Sequence, residues 1–382
     1  MLSVASEGET IGDVPMITYN ERRGAINADL TIGAAVAKAV ALQANAKMSF
    51  MGMTLVGEGF RLVSADLSAL GISSADLPAV IRPYIKGKDV VQDGELRWVI
   101  DFFGLDESDA RRLHPVLFQR LHDLVKPERM ENKRQAYRDR WWWFGEARAG
   151  LRAALAGLPR YIVTVETSKF KPFVFLPAEV IPDHKLYAIA SNDAFHLGVL
   201  SSRVHLVWAL SAGGRMGVGN DPTWTNGTCF DPFPFPACTP AQQVAIRAMG
   251  EELDAHRKRQ QAAHPGLTLT NLYNVLAKLR SGEALTAKEK TIHEQGLCSV
   301  LKDLHDRLDA AVADAYGWPV DLPDDELLAR LVALNAERAA EEAAGTIRWL
   351  RPDYQIPLLG PRATGPPSPK RRISRTPPRT PA

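Results

Sequence analysis

The chain has 382 residues, 46% hydrophobic and 24% charged, the make-up of a globular chain with room for two domains of ordinary size. No apolar run approaches the roughly 20 residues a membrane helix needs, and the N-terminus lacks the charged-then-apolar pattern of a secretory signal. The spacing of Cys229, Cys238 and Cys298 excludes a metal knuckle and a disulfide framework and, with the missing signal, points to the reducing cytoplasm.

The net charge of +2 is unevenly spread. Residues 360–382 carry six basic side chains (Arg362, Lys370, Arg371, Arg372, Arg375, Arg379) and no acid, which leaves the rest of the chain at −4. Within that acidic body, residues 126–171 hold eleven basic and five acidic side chains, a local +6. A basic block in an acidic body suggests a polyanionic partner.

In chain order, residues 48–60 (MSFMGMTLVGEGF) are apolar and glycine-rich and predict a strand pair. Residues 97–103 (RWVIDFF) predict another strand. Asp106 is a helix N-cap ahead of Leu113, Leu117, Leu121 and Leu124 at helical spacing, with Pro115 imposing a kink or two short helices. Lys126-Pro127 ends that segment. Strands return at residues 160–166, 172–176 and 185–191, and residues 193–210 predict one helix. Pro232, Pro234 and Pro236 mark a boundary. Beyond it the chain is helical: residues 241–261, then 272–279 closed by Gly282, then a Thr286–Glu289 capping box. Val300, Leu301, Leu304, Leu308 and Val312 line one further helix, and Leu327, Leu328, Leu331 and Leu334 another. After Tyr354 the proline, arginine and serine content predicts disorder.

A search for chemistry finds no catalytic constellation. An amino-group DNA methyltransferase grips its flipped base with an Asn/Asp-Pro-Pro-aromatic loop. The pairs Pro366-Pro367 and Pro377-Pro378 have the wrong neighbours, and Asp221-Pro222-Thr223-Trp224 lacks the second proline. The glycines at 213, 214, 217 and 219 run GxxGxG rather than GxGxxG, a plain turn or loop rather than a nucleotide cradle. His114 and His122 are too far apart for one metal, and His293 and His305 read as structural. No HExxH and no Gly-x-Ser-x-Gly occurs.

Two stretches stand out for binding. In RQAYRDRWWW, Arg134, Arg138 and Arg140 offer forked donors to phosphates. Trp141, Trp142 and Trp143 either anchor on a ligand or pack the core, and the sequence leaves both open. Between two strands, Thr167, Ser168, Lys169 and Lys171 form either a polar turn or a loop facing base edges and phosphates.

Taken in order, SFMGMTLVGEGF, VIRPYIKGKD, RWVIDFFGL, the RQAYRDRWWW block, GLPRYIVTVETSKFKPFVFLP, VGNDPTWTNGTCFDPFPFP and the helical segments to RWLRPDYQ resemble the C-terminal half of MmeI-type restriction–modification enzymes and related DNA adenine methyltransferases. The resemblance implies an α+β chain with four parts. Residues 1–44 would be a remnant linking to an absent methyltransferase domain, 45–237 a target-recognition domain, 238–355 a helical C-terminal domain and 356–382 a disordered basic tail. It also implies adenine-N6 methylation from S-adenosylmethionine bound by the missing upstream domain, so no cofactor is expected in this chain and no activity from it alone. The expected partners are double-stranded DNA and an upstream methyltransferase polypeptide. The implied base-reading loops are residues 166–171 and 215–226. Lys169, Lys171 and Arg215 would take guanine or phosphate, Asn220 and Asn226 adenine-type edges, with Thr223 and Trp224 beside them and Arg134, Arg138 and Arg140 on phosphate. The rival readings are a helical adaptor within a restriction–modification complex and a non-functional truncated remnant.

Overall fold

A computed structural model describes residues 2–11, 14–22, 34–92, 94, 97–216 and 221–360, and over them the chain is α+β. It opens with an antiparallel hairpin, β1 (Leu2–Ile11) and β2 (Val14–Arg22), registered from Leu2 opposite Arg22 to Ile11 opposite Val14. Gly12-Asp13, between these strands in the sequence, is of the residue type that two-residue hairpin loops favour. The strands expected from the sequence begin only at residue 48, so this hairpin adds to them.

Eight short strands follow: β3 (Ser49–Met51), β4 (Arg61–Leu62), β5 (Ile81–Ile85), β6 (Trp98–Ile100), β7 (Arg160–Val165), β8 (Val174–Pro177), β9 (Ile181–Pro182) and β10 (Leu186–Ile189). They form two sheets, ordered β3-β10-β7-β8 and β4-β6-β5-β9. Residues 48–60 are therefore not a strand pair. They hold β3, which pairs with β10, then isolated bridges at Met53 and Thr54 and a 3-10 turn at Glu58–Phe60; β4 follows just beyond them and pairs with β6 in the other sheet. The sheets meet where Met53 bridges Asp183 and the Met53 N–H donates to Pro182 O at 2.8 Å.

Strand β7 is buried on both faces, and its alternation sorts the core. Tyr161, Val163 and Val165 join a large cluster that runs on into the C-terminal helices, through Leu253, Leu301 and Leu308. Ile162 turns to the other side, with Phe173, Phe175, Tyr187, Trp224 and Phe230.

The helical expectations divide. Asp106 caps Glu107–Leu113 by accepting from the Asp109 N–H at 2.8 Å, and His114, off helical geometry, separates that helix from Pro115–Leu124. Lys126-Pro127 does not end the segment but opens another helix, Lys126–Met130, since proline is tolerated in a first turn where its missing N–H has no partner to lose. Residues 193–210 are two helices, Ala194–Ser201 and Arg203–Ala212. Ser202 between them is extended (ψ 161°), and the Arg203 N–H donates to Asp309 Oδ1 at 2.6 Å, so a carboxylate from a distant helix caps the second one.

From Pro240 the expected helices are present: Pro240–Ala263, Leu269–Ser281, Ala287–Gln295, Cys298–Tyr316 and Asp324–Ala343. Gly282 stops the second in the left-handed region (φ 77°), and Thr286 and Glu289 form the capping box of the third. Val300 proves exposed rather than on the buried face of the fourth. Order continues past Tyr354 in Pro352–Leu359, where Gln355 is fully buried and donates to Ala44 O and Ala46 O at 2.9 Å, so the expected disorder does not hold for residues 356–360. Residues 361–382 lie outside the described ones.

The helices dock directly on the first sheet. Gly250 lets Pro240–Ala263 cross Ala194–Ser201 closely, since a Cβ there would sit 2.3 Å from Ala194 O. The exposed edge of β8 and the residue preceding it are satisfied by side chains of that long helix. Asp254 accepts from the Phe175 N–H at 3.1 Å, while Arg257 and Lys258 each donate at 2.7 Å, to Phe173 O and Phe175 O. Among the described residues no helix is long and apolar enough to cross a membrane.

Candidate nucleic-acid interface

The two loops singled out for base reading lie side by side. Residues 166–173 connect β7 to β8, and the chain returns beside them as a ribbon of β11 (Arg215–Met216) and β12 (Asp221–Pro222), with Arg215 opposite Pro222. Beyond the ribbon, Thr223 bridges Thr167, and the Trp224 N–H donates to Glu166 O at 2.7 Å. The Thr223 N–H donates to Gly214 O at 2.8 Å, tying the ribbon to the end of helix Arg203–Ala212. Gly213 is needed for that approach, because a Cβ there would lie 2.1 Å from Thr223 O. Gly213 thus serves contact between two parts of the chain, while Gly217 and Gly219 of the same cluster lie outside the described residues.

Within this pairing the side chains separate into a rim and a floor. Thr167 and Lys169 are exposed and Ser168 is half-buried; Lys169 Nζ lies 4.9 Å above the Phe170 ring. On the facing loop, Thr225 and Asn226 are half-buried and Gly227 and Thr228 exposed. Thr225 and Thr228 hydroxyls are 2.8 Å apart, and Asn226 Nδ2 donates to Ser49 O at 3.4 Å. Glu166 is held by Lys185, whose Nζ donates to its carboxylate at 2.7 Å.

Three expected contact residues belong to the floor instead. Trp224 is fully buried, its ring edge-on to Phe173 and Tyr187, so it packs the core and cannot lie against a base. Thr223 is buried in the bridge to Thr167. Lys171 is only 3% exposed, and its ammonium donates to the backbone carbonyls of Glu166 and Pro222. Asn220 lies outside the described residues; Arg215 is described by its strand pairing alone.

The basic block is spent unevenly. Arg129 is fully buried and donates to Leu55 O (2.7 Å), Val56 O (2.6 Å) and Trp143 O (3.0 Å); burial lowers its pKa to about 10. Arg152 makes a two-pronged pair with Asp101, and Arg160 another with Glu251. These charges are paired within the protein, Arg160 at its surface, so the local +6 overstates what is free for a partner. Arg134, at the start of helix Gln135–Asp139, keeps a 68% exposed side chain while bonding Tyr137 Oη (2.7 Å) and Glu146 (3.2 Å). Arg138 is half-buried, donating to Asn132 O, and Arg140 is exposed with its guanidinium 5.0 Å above Trp143. The tryptophans resolve toward packing: Trp141 is in the core, and Trp142 and Trp143 both donate to Leu105 O at 3.0 Å.

Of the two histidines read as structural, His305 is buried, while His293 is half-buried beside Ser299. His305 pairs with Tyr273 Oη at 2.9 Å, and burial lowers its pKa to about 3. Burial likewise lowers His196 and His205 to about 4. Among the described residues no group of three or more His, Cys, Asp or Glu could hold a metal ion.

Sequence comparison finds a match over residues 34–237 to the family described as MmeI, target recognition domain. DNA methyltransferase A of Bacillus subtilis (strain 168) is 27% identical over 176 residues, which are 46% of this chain and 17% of that protein. Among solved structures, the Type IIL restriction-modification enzyme MmeI in complex with DNA superposes with a TM-score of 0.63 at 18% identity, over 87% of this chain and 41% of that one. At that identity the likeness is one of fold. The chain spans less than half the length of either relative.

Proposed function

The chain belongs to the MmeI target recognition domain family, and from that premise we propose that it reads DNA sequence on behalf of an adenine methyltransferase. The single observation that carries the proposal is the pairing of residues 166–169 with residues 223–228. It joins two segments 54 or more residues apart into one rim of exposed Thr167, Lys169 and Thr228 with half-exposed Ser168, Thr225 and Asn226. Hydroxyls, an amide and an ammonium on a fixed support are the groups that read base edges. Lys169 and Arg215 take guanine or phosphate, and Asn226 and Asn220 adenine-type edges. Arg134, Arg138 and Arg140 supply sequence-independent affinity through phosphates.

We assign methyl transfer to a separate methyltransferase domain or polypeptide, which would bind S-adenosylmethionine. Two features of the described residues and the sequence support that assignment. Gly213, the first glycine of the cluster, is taken up by its contact with Thr223, and the sequence has no Asn/Asp-Pro-Pro-aromatic loop. Helix Pro240–Ala263 braces the sheet by holding the edge of β8.

The test is equilibrium binding of the purified chain to a random-sequence duplex over a range of salt. Combined replacement of Arg134, Arg138 and Arg140 by alanine should weaken binding and flatten the salt dependence by about 2 to 3 in log–log slope. Unchanged affinity and slope would favour the adaptor reading. The chain alone, given labelled S-adenosylmethionine and DNA, should transfer no methyl group, and transfer above background would overturn the division of labour.

A further inference from the structure

We infer that Lys171 is a positioning residue, a buried cationic staple that sets the spacing of the two reading loops and never touches DNA itself. This rests on the reading of those loops given above. Three observations carry it. Lys171 is 3% exposed although it sits in a loop next to exposed Lys169. Its backbone is in the left-handed region (φ 48°), which a residue with a Cβ occupies at a cost and keeps only where its surroundings hold it. Its ammonium donates to the carbonyl of Glu166, on one loop, and to that of Pro222, on the other.

A buried ammonium must have its protons accepted, since desolvating it otherwise costs more than a loop can recover. Here the named acceptors are main-chain carbonyls from both loops, so satisfying the charge requires the loops to stay together. Glu166 O also accepts from the Trp224 N–H at 2.7 Å, and one carbonyl thereby links Lys171 to the strand-like contact at Thr167 and Thr223. Pro222 brings no N–H of its own, so its carbonyl is the backbone hydrogen-bonding group it can offer. Base-edge reading depends on the relative placement of donors and acceptors across the two loops, whereas phosphate contacts tolerate small shifts. Loosening the staple should therefore cost sequence discrimination before it costs general affinity.

The experiment uses the full chain, with Lys171→Met, Lys171→Gln and, as an exposed control, Lys169→Met. A preferred duplex is first selected from a random pool with the unaltered chain. Three quantities are then read: affinity for the preferred over a random duplex, the salt slope on the random duplex, and amide exchange of the peptide covering residues 221–226. Lys171→Met should speed exchange in that peptide and lower the preference, each by about tenfold, the worth of roughly one buried hydrogen bond. Its affinity for random duplex and its salt slope should hold. Lys169→Met should instead lower the slope by about 1 and leave exchange alone. If Lys171→Met fails to fold, Lys171→Gln, which keeps one polar end, is read in its place. A Lys171 variant that lowers the slope by about 1 with exchange unchanged would make Lys171 a phosphate contact and overturn the inference; so would unchanged exchange and preference together. If the unaltered chain shows no preference for any duplex, the proposed function fails, and the exchange measurement still decides the staple.

Discussion

At the scale of single residues, chemical character and depth have to be weighed together. Trp224 has the flat face that suits a base, yet it fills the core beneath the paired loops of residues 166–173 and 221–228. Trp224→Ala should therefore destabilise the fold by about 3–5 kcal/mol, as other buried aromatic truncations do, read as a shift in the denaturation midpoint. A stable variant defective only in DNA binding would restore it to the surface. Arg129 makes the complementary case. Its guanidinium satisfies carbonyls of Leu55, Val56 and Trp143 at once, which only a planar fork can do. Arg129→Lys should be nearly as damaging as Arg129→Met, each costing about 3 kcal/mol or more for the unpaired groups left behind; full recovery by lysine in the same denaturation assay would count against this. Asp106, Gly282 and the Thr286–Glu289 box were legible in the sequence because each acts within four residues of itself. The burial of Lys171 was not, because its partner at Pro222 is 51 residues away.

At the scale of elements, the sequence identified the pieces more readily than their partners. Apolar, glycine-rich content marked residues 48–60 as extended, but β3 within them pairs with the distant β10 rather than with a neighbour, and no local pattern specifies that partner. The break at Ser202 was hidden for a related reason: the segment is helix-forming throughout, and the new N-terminus is secured from outside by Asp309. Burial raises the pKa of Asp309 to about 6, although the Arg203 N–H opposes that shift. Asp309→Ala should cost about 1–2 kcal/mol, the usual price of a lost N-cap acceptor, measured by denaturation at neutral pH; no change would mean that Arg203–Ala212 needs no outside acceptor. The long helix Pro240–Ala263 was legible as amphipathic, but not its second task of satisfying the edge of β8 through Asp254, Arg257 and Lys258.

At the scale of the whole molecule, the sheets and the C-terminal helices share one core, and the buried titratable groups make its stability depend on pH. His196 and His205, lowered to about 4, and His305, lowered to about 3, are held neutral by burial. With folded pKa values below the unfolded ones, they contribute stability that is complete above about pH 6.5 and lost as pH falls through about 4. Asp231 and Asp309, raised to about 6 by burial, act oppositely: their contribution is complete below about pH 3.8 and lost as pH rises through about 6. The three histidines are displaced further than the two acids, so net stability should fall between about pH 6.5 and 4. Denaturation midpoints across that range test it, and a flat or rising trend on acidification would contradict it. The proposed function is also a property of the whole, since its reading rim is assembled from separated segments on a helix-braced sheet. Selection of duplexes from a random pool by the purified chain tests it most directly. The expected result is enrichment of one sequence motif, lost or altered when Lys169 and Asn226 are replaced by alanine. Recovery of duplexes with no shared motif, or an unchanged motif after those replacements, would contradict it.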